Sequence, residues 1–455
     1  MEMVLEFLRD VLSQPALLIG IMSCVGLVAL KRPFHKVMTG TLKPILGYLM
    51  LAAGAGVIVS NLDPLGKMIE HGFHITGVVP NNEAIVAVAQ KVLGVETMSI
   101  LVVGLLMNLC IARFTKFKYV FLTGHHSLFM ACLMSAVLGT AGLSGMELIL
   151  VGGFLMGAWS AISPAIGQSY TSKVTDGDEI AIGHFGSLGY YLSAWVAKYV
   201  GKADDSTEDI EIPEKWGFLR DSTLSTALTM IVFYLIAAFA AGSEFVATLS
   251  GDMSPYLYAV MSAMNFAVGV AIVYSGVRMI LGDLIPAFQG IATKIIPNAI
   301  PAVDCAVFFT YAPTAVVLGF ISSFIGGIIG MLILGAVGGV LIIPGLVPHF
   351  FCGATAGIYG NATGGRRGAA VGAFLNGLAI TFLPAMALPV LGQLGFQNTT
   401  FGDADFAVMG LVLGNAYEWV GMAGIYGIVA IAALVLIIPN FIKTKGKVIN
   451  YVEED

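Results

Sequence analysis

Four short polar segments interrupt an otherwise apolar chain, and their residues are the first candidates for chemistry. They are Asn81-Asn82-Glu83, Thr123-Gly124-His125-His126, Ile182-Gly183-His184 and Val303-Asp304-Cys305. Imidazoles, carboxylates and amides together offer donors and acceptors to a small polar ligand. An ionisable group in hydrocarbon is costly, so it usually faces a water-filled cavity or a ligand. We therefore predict that these segments gather into one substrate site.

Structural explanations for the same side chains stay open at this point. A histidine bonded to a backbone carbonyl would account for His125 or for His184. Asp304 and Asn82 are both suited to cap the start of a helix. Because successive helical residues point about 100° apart, only one of His125 and His126 is expected to reach a given cavity.

Other kinds of chemistry find little support in the residues. A bound metal would draw on His125, His184, His349 and Asp304, which lack the close spacing of familiar metal motifs. Neither a Gly-x-Ser-x-Gly elbow nor a His-Glu-x-x-His helix occurs, and there is no Walker A sequence. We therefore predict no cofactor. The main alternative function is a proton- or sodium-coupled carrier that uses His125, Glu83 and Asp304 as a relay.

The composition places these residues in a membrane protein. Hydrophobic residues make up 57% of the chain and charged residues 11%, whereas soluble domains average about 25% charged residues. Several apolar runs reach the roughly 20 residues that a helix needs to cross a bilayer. The acidic start of the chain, Met1–Asp10, does not have the basic character of a cleaved signal peptide. The net charge of -6 gives no indication of nucleic-acid binding.

The fold class predicted is an all-α polytopic membrane protein, with residues 1–455 forming a single transport domain. About eleven transmembrane helices are expected, at 15–31, 40–62, 97–114, 119–140, 145–165, 223–248, 255–279, 305–325, 326–345, 369–394 and 419–442. Three further segments are too mixed or too short and are expected to be re-entrant or surface-lying helices: 80–93, 180–199 and 281–300. The five cysteines occur singly in apolar segments and are interpreted as small packed side chains.

Clusters of basic residues predict the orientation. They follow the first, third and last spans, and such clusters favour the cytoplasm: Lys31, Arg32, Lys36, Arg113, Lys116, Lys118, Lys443, Lys445 and Lys447. The carboxyl terminus is then cytoplasmic, and so is the polar stretch 166–222. Its acidic run Asp204–Asp209 is interpreted as a solvated surface, or otherwise as a docking surface.

Two pairs of similar segments hint at an internal duplication. Ile45-Leu46-Gly47 resembles Ile280-Leu281-Gly282, and Leu122-Thr123-Gly124 resembles Ile343-Pro344-Gly345. Transporters are often built from two such halves with the substrate between them. The hand of the repeat stays open. The stretch 341–349 is rich in proline and glycine and predicts a helix break that faces a cavity.

At these residues the sequence resembles the membrane permease, or IIC component, of the ascorbate-type bacterial phosphotransferase system (PTS). The likeness covers nearly the whole chain, and its most specific parts are Leu122-Thr123-Gly124-His125, Val174-Thr175-Asp176-Gly177, Ile182-Gly183-His184, Gly276-Val277-Arg278-Met279, Asp304-Cys305-Ala306 with Ala312-Pro313, and Ile342-Ile343-Pro344-Gly345. The resemblance implies a homodimer in the bacterial inner membrane, with a transport core and a V-shaped dimerisation domain. It implies that L-ascorbate, or a related sugar acid or polyol, is carried inward and phosphorylated by a cytoplasmic IIB partner. IIB is itself phosphorylated by IIA. The phosphoryl-carrying residue is expected on IIB and not on this chain.

Carried over position by position, the resemblance implies seven substrate-binding residues: Asn82, Glu83, His125, Phe129, His184, Phe185 and Asp304. Three depart from the family pattern, because Phe129 and Phe185 replace glutamines and Glu83 replaces a tyrosine. Two amide contacts are lost and an acid is gained. Phe129 lies four residues after His125, on the same helix face, where it can stack on a ligand ring.

Overall fold

The computed structural model describes residues 11, 14–74, 77–78, 80, 82–177, 180–210, 222–391 and 400–441. Thirteen helices are numbered here in chain order: α1 (Pro15–Ala29), α2 (Phe34–Phe73), α3 (Asn82–Phe114), α4 (Gly124–Thr140), α5 (Gly145–Val174), α6 (Ser187–Val200), α7 (Ser222–Ala241), α8 (Ser243–Ser250), α9 (Pro255–Lys294), α10 (Pro313–Ala336), α11 (Leu346–Leu391), α12 (Ala404–Val420) and α13 (Met422–Phe441). Three short strands are β1 (Tyr119–Phe121), β2 (Ala181–Ile182) and β3 (Ile300–Val303). A 3-10 helix, Cys305–Thr310, follows β3.

The helices are those of a polytopic membrane protein. Seven of those in the described part are long and apolar enough to cross a membrane. The pair α7 and α8, bent by 117° at Gly242, would be an eighth span. Large apolar side chains such as Ile431, Leu434 and Phe441 of α13 are exposed, as expected of a surface that faces lipid.

Several predicted span boundaries are wrong. The predicted spans 305–325 and 326–345 fall on the single helix α10, because Pro313 starts it and it ends at Ala336, shortly before Gly338, whose φ is +71°. The predicted re-entrant segment 281–300 is largely the continuation of α9. Of the predicted span 119–140, only Gly124–Thr140 is helical. Helix α12 and the first half of α11 were not predicted as spans.

Two groups of extended segments, each parallel, lie in the interior. In the first, β3 pairs with β1 on one side and with β2 on the other, with Phe121 opposite Ala302 and Ile182 opposite Val303. In the second, Val78 pairs with Ile342, and Pro80 pairs with Thr400. A helix begins a few residues after each of the six segments. The predicted break at 341–349 is confirmed for residues 341–345, whereas residues 346–349 already form the start of α11.

This arrangement has the form of an inverted repeat. Helices α2 and α9, both 40 residues long, run antiparallel: Gly47 lies against the backbone of Gly276, and Gly54 lies against the backbone of Gly269. A Cβ at any of these four glycines would meet backbone atoms of the other helix, so glycine permits the close crossing. Each half has one long helix, followed by three extended segments with their helices.

One of the two predicted sequence echoes matches this repeat. Gly124 begins α4 after β1, and Gly345 precedes α11 after the extended residue Ile342, so this echo occupies equivalent places. The other echo does not, because Ile45 lies near the start of α2 and Ile280 lies in the second half of α9.

The four acidic residues of the run Asp204–Asp209 are exposed, as expected of a solvated surface, but two of them also make contacts within the protein. The Glu208 carboxylate accepts hydrogen bonds from the backbone N–H groups of Thr314 (3.1 Å) and Ala315 (3.1 Å) at the start of α10. Arg366 donates through its backbone N–H to the Asp205 carbonyl at 2.7 Å and approaches the Asp205 carboxylate at 3.3 Å. The loop therefore ties the end of α6 to α10 and to the break in α11 at Gly365.

Candidate substrate site

The first parallel sheet brings three of the predicted site residues together. The residues that follow β1, β2 and β3 include His125, His184 and Asp304, respectively. The carboxyl ends of parallel strands lie at the same edge of a sheet, so the side chains that follow them converge. Further backbone hydrogen bonds, from Gly183 to Val303 at 2.7 Å and from Leu122 to Ala302 at 2.9 Å, extend the pairing to that edge.

His125 and Asp304 form a pair across this edge. The Nε2 atom of His125 lies 3.5 Å from Oδ2 of Asp304, and the Tyr48 hydroxyl lies 3.4 Å from His125 Nδ1. The other carboxylate oxygen of Asp304 accepts from the Ala306 backbone N–H at 3.3 Å, which caps the 3-10 helix. The capping role considered from the sequence is thus present, and it leaves Oδ2 directed at His125.

The second group of extended segments contributes Asn82 and Asp403. The amide nitrogen of Asn82 donates to Asp403 Oδ2 at 2.6 Å, and its carbonyl oxygen accepts from the Gly402 backbone N–H at 2.9 Å. The thiol of Cys352 donates to Asp403 Oδ1 at 2.9 Å. Asn82 therefore holds the carboxylate of Asp403 in place, and a hydrogen-bonded Cys352 differs from the apolar packing predicted for the cysteines.

His184 lies between the two groups. Its Nδ1 accepts from the Gly186 backbone N–H at 3.1 Å and is 2.8 Å from the Tyr190 hydroxyl. The same nitrogen is 3.8 Å from Asp403 Oδ1. The ring of His126 lies against that of His184, with 3.9 Å between the ring centroids.

Asp405 anchors the site from behind. Its side chain is fully buried. One oxygen accepts from the Leu188 backbone N–H at 2.9 Å, and the other accepts from the Ser187 hydroxyl at 2.8 Å and the Trp159 indole N–H at 3.2 Å. A buried carboxylate needs such donors. These contacts fix the start of α6, directly after His184, relative to α5 and α12.

The paired residues form the polar floor of a cavity of about 1160 Å³. Ligand cavities commonly have volumes of several hundred Å³ and mostly apolar walls. The walls here include Leu62, Phe233, Phe324, Met331 and Phe351. The polar and titratable side chains that line the cavity are Gln14, Tyr48, Asp63, Lys67, Glu70, Asn82, His125, His126, His184, Asp304, Cys305, Cys352 and Asp403.

The structure brings five of the seven predicted residues to this cavity: Asn82, His125, Phe129, His184 and Asp304. Phe185 is not among the lining residues, because its buried ring stacks on Phe121 at 4.6 Å between centroids. The side chain of Glu83 lies outside the described residues. The expectation that only one of His125 and His126 reaches the cavity is wrong, since both line it where α4 begins.

Sequence reasoning missed Asp403, Tyr48 and Cys352, and it named His126 only as an alternative to His125. One signal was available for Asp403: the sequence Gly402-Asp403-Ala404-Asp405 places two carboxylates in an otherwise apolar region. The aromatic ring and the thiol gave no such signal, because tyrosine and cysteine are common in membrane helices for packing alone.

Donor atoms that a metal could use do lie close together. Single ligand atoms of His126, His184 and Asp403 lie within 4.8 Å of one another, as do those of His184, Asp304 and Cys305. However, the Nδ1 atoms of His126 and His184 both accept backbone N–H groups. A neutral imidazole then carries its proton on Nε2, which leaves no free lone pair for a metal. His349, the other histidine considered for a metal, is bonded to Ser323 at 2.9 Å and does not line the cavity.

Comparisons with known proteins match most of the chain to one family of permease components. The sequence profile of the EIIC-GAT family, described as the PTS system sugar-specific permease component, matches residues 10–405. The ascorbate-specific PTS system EIIC component of Mycoplasma pneumoniae is 27% identical over 474 aligned residues, which cover 90% of this chain and 70% of that protein. The chain therefore belongs to the EIIC-GAT family of PTS sugar-specific permease components.

Proposed function

We propose that this chain binds L-ascorbate, or a related sugar acid or polyol, and carries it across the bacterial inner membrane for phosphorylation by a cytoplasmic IIB partner. The observation that supports this most is the meeting of Asp304, His125 and His184 at the floor of one cavity, although they come from three distant parts of the sequence. Apolar walls around a few convergent polar groups are typical of a site for a small polar ligand.

The chemistry of the floor suits a ligand with several hydroxyl groups. The carboxylates of Asp304 and Asp403 accept hydrogen bonds from hydroxyls, and the imidazoles donate to carbonyl or enediolate oxygens. The ring of Phe129, edge-on to His125 at 5.8 Å, offers an apolar surface to the ligand. The name of the relative from Mycoplasma pneumoniae specifies ascorbate, which combines vicinal hydroxyls with an enediol.

The distribution of described basic residues supports an orientation. Many of them lie near helix ends, in the connections between helices or at the break in α11: Lys31, Arg32, Lys36, Arg113, Lys116, Lys118, Lys173, Lys198, Lys202, Lys294, Arg366 and Arg367. The start of α2 and the end of α9, which carry Lys36 and Lys294, lie on the same side because these helices are antiparallel. By the positive-inside rule we assign this side to the cytoplasm. Lys67, with Asp63 at 2.8 Å, lines the cavity near the opposite end of α2. The cavity then opens outward, and the carboxyl terminus is cytoplasmic.

Helices α1, α2, α7 and α9 pack on one another, and we assign them to the V-shaped domain that joins two protomers. About eleven crossings per protomer are proposed.

The stretch 166–222 contains the end of α5, the strand β2 and helix α6. We propose that its polar parts face the cytoplasm, on the side where IIB and IIA act. Light scattering of the detergent-solubilised protein tests the homodimer.

Transport into proteoliposomes tests the function. With internal phosphoenolpyruvate, the general PTS carriers, IIA and the cognate IIB, we expect labelled ascorbate to accumulate as its phosphate. Accumulation should persist under a protonophore and should stop when IIB is omitted. Uptake that continues without IIB and collapses under the protonophore would contradict the proposal and favour the proton-coupled carrier.

A further inference from the structure

His126 is a second histidine at the start of α4, directly after His125. Its ring is buried, with 3% of the residue exposed, yet it belongs to the cavity wall. It is packed between the ring of His184, at 3.9 Å between centroids, and that of Phe406, at 5.6 Å. The ring is therefore held in one orientation at the floor of the cavity.

The hydrogen bonds of this histidine pair identify where their protons are. The backbone N–H of Phe185 donates to His126 Nδ1 at 3.3 Å, and the backbone N–H of Gly186 donates to His184 Nδ1 at 3.1 Å. A backbone N–H can only donate, so each Nδ1 carries no proton and accepts the hydrogen bond with its lone pair. Each neutral imidazole then has its proton on Nε2. Protonation of either ring to an imidazolium would break the hydrogen bond from the backbone N–H to its Nδ1.

The two Nε2–H groups are available to a ligand. Neither has a hydrogen-bond acceptor among the described residues, and both rings line the cavity. One ring nitrogen of each histidine lies within 4.8 Å of the other and of an Asp403 oxygen. Adjacent residues of one turn, Phe185 and Gly186, orient both rings. The two rings therefore lie together beside carboxylates that act as acceptors, and each ring has a donor at Nε2.

We propose that the Nε2–H groups of His126 and His184 together bind a ligand oxygen that carries no hydrogen, such as a carbonyl or enolate oxygen. In this assignment His126 is a specificity-determining residue. The neighbouring carboxylates of Asp304 and Asp403 bind hydroxyls of the same ligand. The site would then prefer an enediolate or a keto sugar to a polyol, whose oxygens all carry hydrogens. The proposal rests on the proposed function only in taking this cavity as the ligand site.

Nitrogen-15 NMR of the histidine-labelled, detergent-solubilised protein tests the proton positions without any ligand. Signals are assigned by loss in His126→Gln and His184→Gln. We expect both residues to have the Nε2–H tautomer. An Nδ1–H tautomer or an imidazolium at either residue at neutral pH would overturn the proposal, whichever substrate the protein carries.

Two substitutions of His126 separate its donor from its structural role. Asparagine places a carbonyl oxygen near Nδ1 and keeps an acceptor for Phe185, but it has no donor at Nε2. Glutamine places an N–H group near Nε2. We expect His126→Asn to weaken L-ascorbate binding about 10- to 100-fold, as for the loss of one hydrogen bond to a charged oxygen. The affinity of His126→Gln should stay within about 5-fold of wild type, because the hydrogen bond from its side chain to the ligand is distorted but not lost.

Binding is measured by titration calorimetry, with xylitol as the polyol probe and His349→Asn as the matched control. His349 is a buried histidine outside the cavity, and its substitution should leave the affinity unchanged. Equal affinity of His126→Asn and wild type would refute the donor role, and so would equal loss in His126→Asn and His126→Gln. If the wild-type protein binds no ascorbate, the proposal that ascorbate is the substrate is refuted. The proton positions on His126 and His184 are then decided by the NMR measurement alone.

Discussion

Replacement of Asp304 by asparagine separates ligand binding from folding at the centre of the site. The carboxylate has two roles on two oxygens: Oδ1 caps the 3-10 helix through Ala306 at 3.3 Å, and Oδ2 lies 3.5 Å from His125 in the cavity. Asparagine keeps an oxygen for the cap. It replaces the other oxygen with an amide nitrogen, which cannot accept a hydroxyl hydrogen bond.

The magnitude follows from these contacts. A hydrogen bond to a charged group contributes about 1.5–3 kcal/mol, and each 1.4 kcal/mol is a factor of ten in affinity, so we expect ligand affinity to fall about 10- to 100-fold. Stability should change little, because the cap is retained. Asp304→Ala removes the cap as well and should cost about 1 kcal/mol of folding free energy in addition.

Ligand affinity, uptake and thermal unfolding are measured on the same purified variants. Asp283→Asn is the matched control, because its carboxylate pairs with Lys43 at 3.5 Å and does not line the cavity. Normal uptake by Asp304→Asn would refute our placement of the site. A collapse of folding in Asp304→Asn would instead show that the carboxylate serves the structure alone.

Three further substitutions test the contacts around the site. Asn82→Ala removes a donor at 2.6 Å from the buried Asp403 carboxylate and should lower the free energy of unfolding by about 1.5–3 kcal/mol, measured by denaturant titration. Asp405→Asn places an amide nitrogen against donors that bind a carboxylate in the wild type. The free energy of unfolding should fall by about 1–3 kcal/mol in the same assay. Gly365→Ala forces a side chain into a conformation with φ of 60° and ψ of −152°, where a Cβ would also meet the Asp205 carbonyl oxygen; we expect a lower Tm and a cost of about 1–3 kcal/mol. The control Gly427→Ala has open space around the new methyl group and should be neutral or slightly stabilising.

Each of these predictions has an outcome that contradicts it. Wild-type stability of Asn82→Ala would mean that Asp403 finds its donors elsewhere. An unchanged unfolding curve for Asp405→Asn would show that the three donors do not need a carboxylate. Equal Tm values for Gly365→Ala and Gly427→Ala would remove the argument that the break in α11 requires glycine.

The class of the protein and much of the candidate site followed from the order of residues alone. Length and apolarity predict membrane helices, because a bilayer requires about 20 apolar residues for each crossing. The cost of ionisable groups in hydrocarbon was enough to single out His125, His184 and Asp304. The proline and glycine residues at 341–349 predicted a helix break, and the structure has an extended segment there.

Helix continuity was harder to predict. The boundary between the predicted spans 305–325 and 326–345 fell inside α10, because Gly326-Gly327 packs against α11 and Pro344 without interrupting the helix. The start of α10 depends on Pro313 and on the Glu208 carboxylate, which comes from a loop far away in the sequence. Such long-range capping leaves no local pattern.

What the sequence by itself determined is which residues need partners, because an ionisable side chain in an apolar segment is costly to bury until donors, acceptors or water compensate it. Only the tertiary structure decided which residues meet. Strands of two to four residues are too short to show a pattern, and their partners are distant in the chain. The parallel pairing of β1, β2 and β3 brings His126 to the edge at which Asp304 lies. The pairing of Pro80 with Thr400 brings Asp403 to the same cavity.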